Sequence, residues 1–248
     1  MLAQESITAF IQNTFSKQNM HHVVIAVSGG IDSALSLTLL TQTLTPANIT
    51  PIFLPYATQN IEDAKAICEW NKIPPSRWIE HNISPIVDLY CSQLGITETD
   101  KVRRGNIMAR ARMIVVYDYA KKMHALVCGT ENKSEHYLGY FTRFGDAASD
   151  IEPISTLYKT QVQAMARELG IPDQIINKHP SAGLWDSQTD EQELGFSYKD
   201  IDAVLEQLID KKVPEKEIVI AGISQETIHA VLNRIHSNAF KLQVPYEM

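Results

Sequence analysis

Six consecutive residues, Ser28-Gly29-Gly30-Ile31-Asp32-Ser33, bring together what an anion and a divalent cation both need. Two adjacent glycines let backbone N–H groups approach an anion, and a helix starting just after them adds its partial positive charge. Ala26 and Val27 lead into the turn, and the hydroxyls of Ser28 and Ser33 can donate to phosphate oxygens. Asp32 would repel a bare phosphate, so its position makes sense as a ligand for magnesium. The turn has no lysine and lacks both the G-x-x-x-x-G-K-[ST] and the G-x-G-x-x-G spacing. A nucleophile elbow built on Ala26-Val27-Ser28-Gly29-Gly30 is a rival enzymatic reading. It leaves Asp32 and Ser33 unexplained, and no histidine stands in a recognisable strand-end context. A plain capped turn would need neither both glycines nor Ser28, Asp32 and Ser33.

The elements around this turn are legible from periodicity. Ala3, Ile7, Phe10, Ile11 and Phe15 predict an amphipathic helix over Leu2–Ser16. Val23–Val27 reads as a buried strand running into the turn, with a helix over Ile31–Leu44 behind it. The alternation continues as strand Ile49–Leu54, helix Ile61–Trp70, strand Arg77–Ile83 and helix Val87–Leu94. Helix Ile107–Lys122, strand Ala125–Cys128, a weaker strand over Ile151–Ile154 and helix Lys159–Leu169 follow. Short apolar runs alternating with helices predict an α/β fold: an open parallel sheet with helices on both faces. In such a sheet ligands sit beyond the carboxyl ends of the strands. From Pro172 to Phe196 no period is visible, and a stretch of that length is usually functional. Helices over Asp200–Leu208 and Gln225–His236, N-capped by Ser197 and Ser224, form a helical C-terminal extension. The whole of 1–248 reads as one domain, with a nucleotide-binding core at 1–170 and a substrate loop and C-terminal helices at 171–248.

Composition excludes several classes. Of 248 residues 44% are hydrophobic and 21% charged, globular values that rule out a disordered chain. The net charge of −7 argues against a nucleic-acid partner. No apolar run approaches the roughly 18 residues that span a bilayer, and the N-terminus lacks the features of a signal peptide. Cys68, Cys91 and Cys128 are scattered and odd in number, which suggests a reducing, cytoplasmic setting and core packing rather than disulfides or nucleophiles. Phe10, Phe15, Trp70 and Tyr117 read as packing residues. Lys159 opens a helix, where a lysine opposes the dipole, and this points to an anionic partner.

The Ser-Gly-Gly-x-Asp-Ser turn resembles the signature of the N-type ATP pyrophosphatases, which cleave ATP between its α- and β-phosphates and leave an adenylated intermediate. Later segments narrow the resemblance: Asn106–Met113 with its Ala-Arg-Ala-Arg run, Gly129–Glu135, Gly139–Asp150, Pro153–Lys159, Lys178–Leu184 and Asp190–Tyr198. Their succession covers nearly the whole chain and is similar to the ammonia-dependent NAD synthetases. The resemblance implies amidation of the nicotinate carboxylate of deamido-NAD by ammonia, with ATP as co-substrate, in a homodimer. It places Asp32, Glu135 and Lys159 at the catalytic centre, with Asp32 and Glu135 as magnesium ligands. Residues Ala26 to Ser33, Gln59, Thr130, Lys159 and Ser181 would bind ATP; Arg110, Arg143, Asp150 and Lys241 would bind deamido-NAD. Arg110 and Arg112, two apart on a helix, diverge, so one of them reaches the site. The sequence departs from the family pattern at Arg143, where a lysine is usual, at Phe53, where an arginine is frequent, and at Phe240, before Lys241. No glutaminase nucleophile is visible, which leaves free ammonia as the expected nitrogen donor. A tRNA-modifying ATP pyrophosphatase and a non-catalytic nucleotide-binding module are the alternatives.

Overall fold

The computed structural model describes residues 2–181, 183–185 and 188–246. Helix α1 (Leu2–Gln18) leads into β1 (His22–Ala26), and α2 (Ile31–Thr41) connects this strand to β2 (Ile49–Phe53). Helix α3 (Glu62–Trp70) precedes β3 (Ile79–Glu80), while α4 (Ser84–Gln93) and α5 (Lys101–Met123) precede β4 (Ala125–Cys128). Beyond β4 lie α6 (Lys133–Leu138), α7 (Lys159–Glu168), two short helices α8 (Asp173–Ile176) and α9 (Asp190–Leu194), then α10 (Tyr198–Leu205) and α11 (Gln225–Asn238). The strands form one parallel sheet in the order β3-β2-β1-β4, with β1 in register between Ile49–Ile52 of β2 and Ala125–Cys128 of β4. The expected α/β class is what folds.

Strand β1 shows why its run is apolar throughout. Val23 and Ile25 face a cluster containing Ile7, Ile11, Phe15, Leu35 and Val162, whereas Val24 faces Ile52, Val87, Met108 and Val115 on the other side. With both faces covered, a strand has no polar side to present. A third cluster unites Leu138 and Tyr158 with Tyr198, Ile201, Val204, Leu205, Ile228 and Val231. It packs the C-terminal helices α10 and α11 against α6 and the start of α7.

Four expectations need correction. The weak strand over 151–154 is a single parallel bridge between Cys128 and Ile151, since Pro153 has no N–H to continue a ladder and the chain turns from there. The strand expected over 77–83 is only Ile79–Glu80, because a 3-10 turn takes up Pro75–Arg77. Helix α5 starts well before Ile107: Asp100 caps it by accepting from the Arg103 N–H at 3.3 Å, although the first turn has no apolar period. Phe15 and Tyr117 pack into the core, but Phe10 and Trp70 are 45% and 40% exposed. Phe10 lies beside the buried stripe of Ile7, Ile11 and Phe15 rather than on it. All three cysteines are free and buried, and no described helix is long and apolar enough to cross a membrane.

Candidate active site

The glycine turn follows β1 at the carboxyl end of the sheet. The Ser28 hydroxyl accepts from the Gly30 N–H at 3.2 Å, and the Ser33 hydroxyl donates to the Gly30 carbonyl at 3.0 Å. The two hydroxyls lie 3.2 Å apart. Gly30 is the N-cap of α2 without any side-chain cap, which leaves the helix start open for an anion. One residue into the helix, Asp32 is held by Asn132, whose amide donates to Oδ1 at 2.9 Å.

Asn132 belongs to the neighbouring strand end. Past β4 the chain runs through Gly129, Thr130 and Glu131 to Asn132, which caps α6 and accepts from the Glu135 N–H at 3.0 Å. Glu135 completes a capping box, with its carboxylate turned back toward the Asn132 N–H. Lys159, 2% exposed at the first position of α7, reaches between the two carboxylates: its Nζ lies 2.5 Å from Asp32 Oδ2 and 3.0 Å from Glu135 Oε1. Burial opposes its charge, but Asp32 and Glu135 outweigh that and hold the ammonium well above its ordinary pKa. Burial pushes the Glu135 carboxyl up to about 8 against the pull of Lys159. The structure therefore brings Asp32, Glu135 and Lys159, from three separate segments, to one point.

The other expected residues are distributed around this centre. Gln59 is a junction: its carbonyl accepts from the Tyr56 N–H at 2.9 Å and from Arg112 at 3.0 Å, and its amide donates to the Gly183 carbonyl at 2.6 Å. Arg110 points elsewhere, donating through Nε and Nη2 to the Arg143 carbonyl, both at 3.3 Å. The two arginines thus diverge as their spacing predicts. Burial pulls the Arg112 guanidinium down to about 10, and it also donates to the Leu54 carbonyl at 3.1 Å. The Arg143 guanidinium lies 5.0 Å from the Phe240 ring, and Lys241 donates to the carbonyls of Gly139 and Phe141 at 2.6 and 2.9 Å. Asp150 uses Oδ2 to accept from the Val127 N–H at 2.7 Å and so braces the end of β4. Ser181 is exposed and accepts from the Gly183 N–H at 3.1 Å.

Several residues around the centre have no counterpart among the expected ones. Asp190, 3% exposed, accepts from the hydroxyls of Tyr140 and Tyr198 at 3.2 and 3.1 Å, and the Tyr198 ring lies 5.1 Å from Lys159 Nζ. Glu152 accepts from Ser149 at 2.7 Å and from the Glu131 N–H at 3.0 Å, and burial pushes it up to about 8. A Cβ on Gly129 would lie 1.8 Å from its Oε1, so this glycine makes room for the carboxylate. Asn132 was within reach of sequence reasoning, since Asn three residues before Glu is the spacing of a capping box. Ser134 and Asp202 carry no such signal.

A parallel sheet that ends in an open glycine turn, with carboxylates and a buried lysine beyond two adjacent strands, defines a nucleotide-binding α/β protein of the adenine nucleotide alpha hydrolase class. The NAD synthase family model matches residues 3–245. An NH3-dependent NAD(+) synthetase from Thermococcus kodakarensis is 43% identical over 248 residues, covering 98% of this chain and 95% of that one. The solved structure of an NH3-dependent NAD synthetase from Campylobacter jejuni superposes with a TM-score of 0.82 at 32% identity, covering 99% of this chain and 97% of that one. An NMN synthetase from Francisella tularensis gives 0.84 at 31% identity, with the same coverage of 99% and 97%. This chain belongs to the NAD synthase family.

Proposed function

We propose that the protein is an ammonia-dependent NAD synthetase, which amidates the nicotinate carboxylate of deamido-NAD and converts ATP to AMP and pyrophosphate. The observation that supports it most within the fold is the convergence of Asp32, Glu135 and Lys159 beyond β1 and β4. A carboxylate is a poor acyl donor. Its oxygen attacks the α-phosphorus of ATP, the bond to the bridging oxygen breaks, and pyrophosphate leaves. Ammonia then adds to the acyl carbon, AMP departs with the electrons of the C–O bond, and the nitrogen gives up a proton.

The protein's part is to align two polyanions and offset charge. The N–H groups and hydroxyls of the turn from Ala26 to Ser33, with Thr130, Ser181 and Lys159, receive the ATP phosphates, and Gln59 lies on the adenine side. Arg110, Arg143, Asp150 and Lys241 hold deamido-NAD. Magnesium fits the donor set: Asp32 Oδ2 and Glu135 Oε1 already converge on a positive charge, and both are hard oxygen ligands. These two residues would hold the ion, which supplies Lewis-acid stabilisation of phosphate charge. The nucleotide core of 1–170 and the loop and helices of 171–248 act as one domain, since α10 contributes to the same centre.

Turnover of deamido-NAD with ATP, magnesium and an ammonium salt tests the proposal. The expected result is NAD and AMP in equal yield, with glutamine unable to replace ammonium. AMP without NAD would redirect the chemistry to another acceptor, such as a tRNA; formation of NMN in preference to NAD would align the chain with the Francisella NMN synthetase instead.

A homodimer is supported by Leu89 and Tyr90 on α4, Leu94 at its C-cap, and Val102 and Ile114 on α5, all at least 49% exposed, with the two helices packed together. Sedimentation velocity should give twice the chain mass, and a single-chain mass would refute it. The free buried cysteines fit a cytoplasmic location, which recovery of the activity with extracellular fractions would overturn.

A further inference from the structure

Helix α7 carries Lys159, and its first N–H groups have no partner within the helix. The structure supplies both from outside. The Lys159 N–H donates to the Ser134 hydroxyl at 2.9 Å, and the Thr160 N–H donates to Asp202 Oδ2 at 2.8 Å. The Ser134 hydroxyl in turn donates to Asp202 Oδ1 at 2.5 Å. Ser134 is fully buried and Asp202 is 6% exposed. Thus one carboxylate, borne by α10, ties Ser134, next to Glu135, to Thr160, next to the Lys159 that opens α7. A carboxylate at a helix N-terminus is also favoured by the dipole.

We propose that Asp202 is a positioning residue for the adenylation step: through Ser134 and the first turn of α7 it fixes the separation of Glu135 and Lys159. Its carboxylate bonds Ser134 and Thr160 rather than Asp32, Glu135 or the Lys159 ammonium. The inference rests on the assignment of Glu135 and Lys159 to the ATP-dependent half-reaction. It makes the C-terminal extension part of the active site rather than a separate cap. Both backbone anchors lie within two residues of a charged group that must meet the phosphates, so a small shift of α7 against α6 is transmitted directly to the distances that matter. A misplacement of about 1 Å can cost about a hundredfold in rate.

The test compares wild-type, Asp202→Asn, Ser134→Ala and the double variant for kcat and for KM of ATP, deamido-NAD and ammonium, with thermal melting alongside. Asp202→Asn should lower kcat/KM for ATP by about 30- to 100-fold while kcat/KM for ammonium stays within about twofold. The double variant should be no worse than the poorer single one, because both substitutions cut one chain of contacts. Ser134→Thr, which keeps the hydroxyl, should retain most activity. A loss spread evenly over the three substrates, full additivity, or a lowered melting temperature with unchanged kinetics would each overturn the proposal. If Asp202→Asn does not fold, Ser134→Ala against Ser134→Thr carries the same comparison. A wild-type protein that releases no AMP with deamido-NAD would overturn the function itself, whereas an active wild-type matched by its variants would overturn only the positioning role.

Discussion

Lys159→Met should reduce NAD formation by a factor on the order of 10³, with the loss in the adenylation half-reaction, and should also destabilise the fold. The lysine offers the only ammonium within ion-pair distance of Asp32 and Glu135 among the described residues. Without it two carboxylates, with Asp190 close behind, confront the place proposed for the triphosphate. Breaking a buried pair typically costs 3–5 kcal/mol, but the carboxylate side chains are 18% and 16% exposed and Asn132 still donates to Asp32. A loss of about 2–3 kcal/mol is therefore expected. The penalty should depend on pH. Lys159 lowers the pKa of Glu135, so its removal lets burial lift that carboxyl further. A carboxyl whose folded pKa is raised favours the folded state below its ordinary range and loses that contribution as pH rises toward the folded value. Lys159→Met should thus approach wild-type stability near pH 5 and fall behind it toward pH 8. Melting curves across that range, with single-turnover AMP release, check both parts. A variant equally stable at both pH values and still fast in AMP release would contradict the role given to Lys159.

Most of the sheet was readable because its strands are buried on both faces and its helices are amphipathic. Val23–Ile25 and the stripe Ile7, Ile11 and Phe15 are each apolar for a reason that periodicity registers. Periodicity did not register the start of α5, where Val102 is the one apolar side chain from Lys101 to Asn106 and is exposed, and where the Asp100 cap starts the helix and Gly105 leaves room for Leu184. Short α6 was equally invisible, since six residues make fewer than two turns and are held by a capping box and by packing against α10 and α11. For the site, local chemistry marked the Ser28–Ser33 turn on its own. Glu135 stood out only through family resemblance, because an exposed helix glutamate has the same local sequence. Asp202 had no mark at all. Its role arises from a contact across 68 residues of chain, which no local pattern contains.

Gly29→Ala should be among the most damaging single substitutions in the turn. Gly29 has φ +79, a conformation costing roughly 1–2 kcal/mol for a residue with a side chain. A Cβ there would also lie 2.8 Å from Asp63 Cβ and 2.9 Å from the Ala64 backbone nitrogen at the start of α3. Neither is the flexible end of a side chain, so α3 has to move away from the turn. Together these effects should cost about 3 kcal/mol, lowering the melting temperature by roughly 6–12 °C in a chain of this size. ATP affinity should fall as well, because the displaced α3 follows the Gln59 segment and Asp63 holds Lys178 at 2.7 Å. Gly30 gives the contrast. A Cβ on it would come no closer than 3.4 Å to the Ser28 hydroxyl, and its φ of −84 suits any residue. Gly30→Ala should therefore melt close to wild-type yet bind ATP more weakly, because its methyl group would stand beside the N–H groups proposed to receive the phosphates. Equal melting temperatures for the two variants would refute this division, in which Gly29 serves the packing of the turn and Gly30 the approach of the ligand.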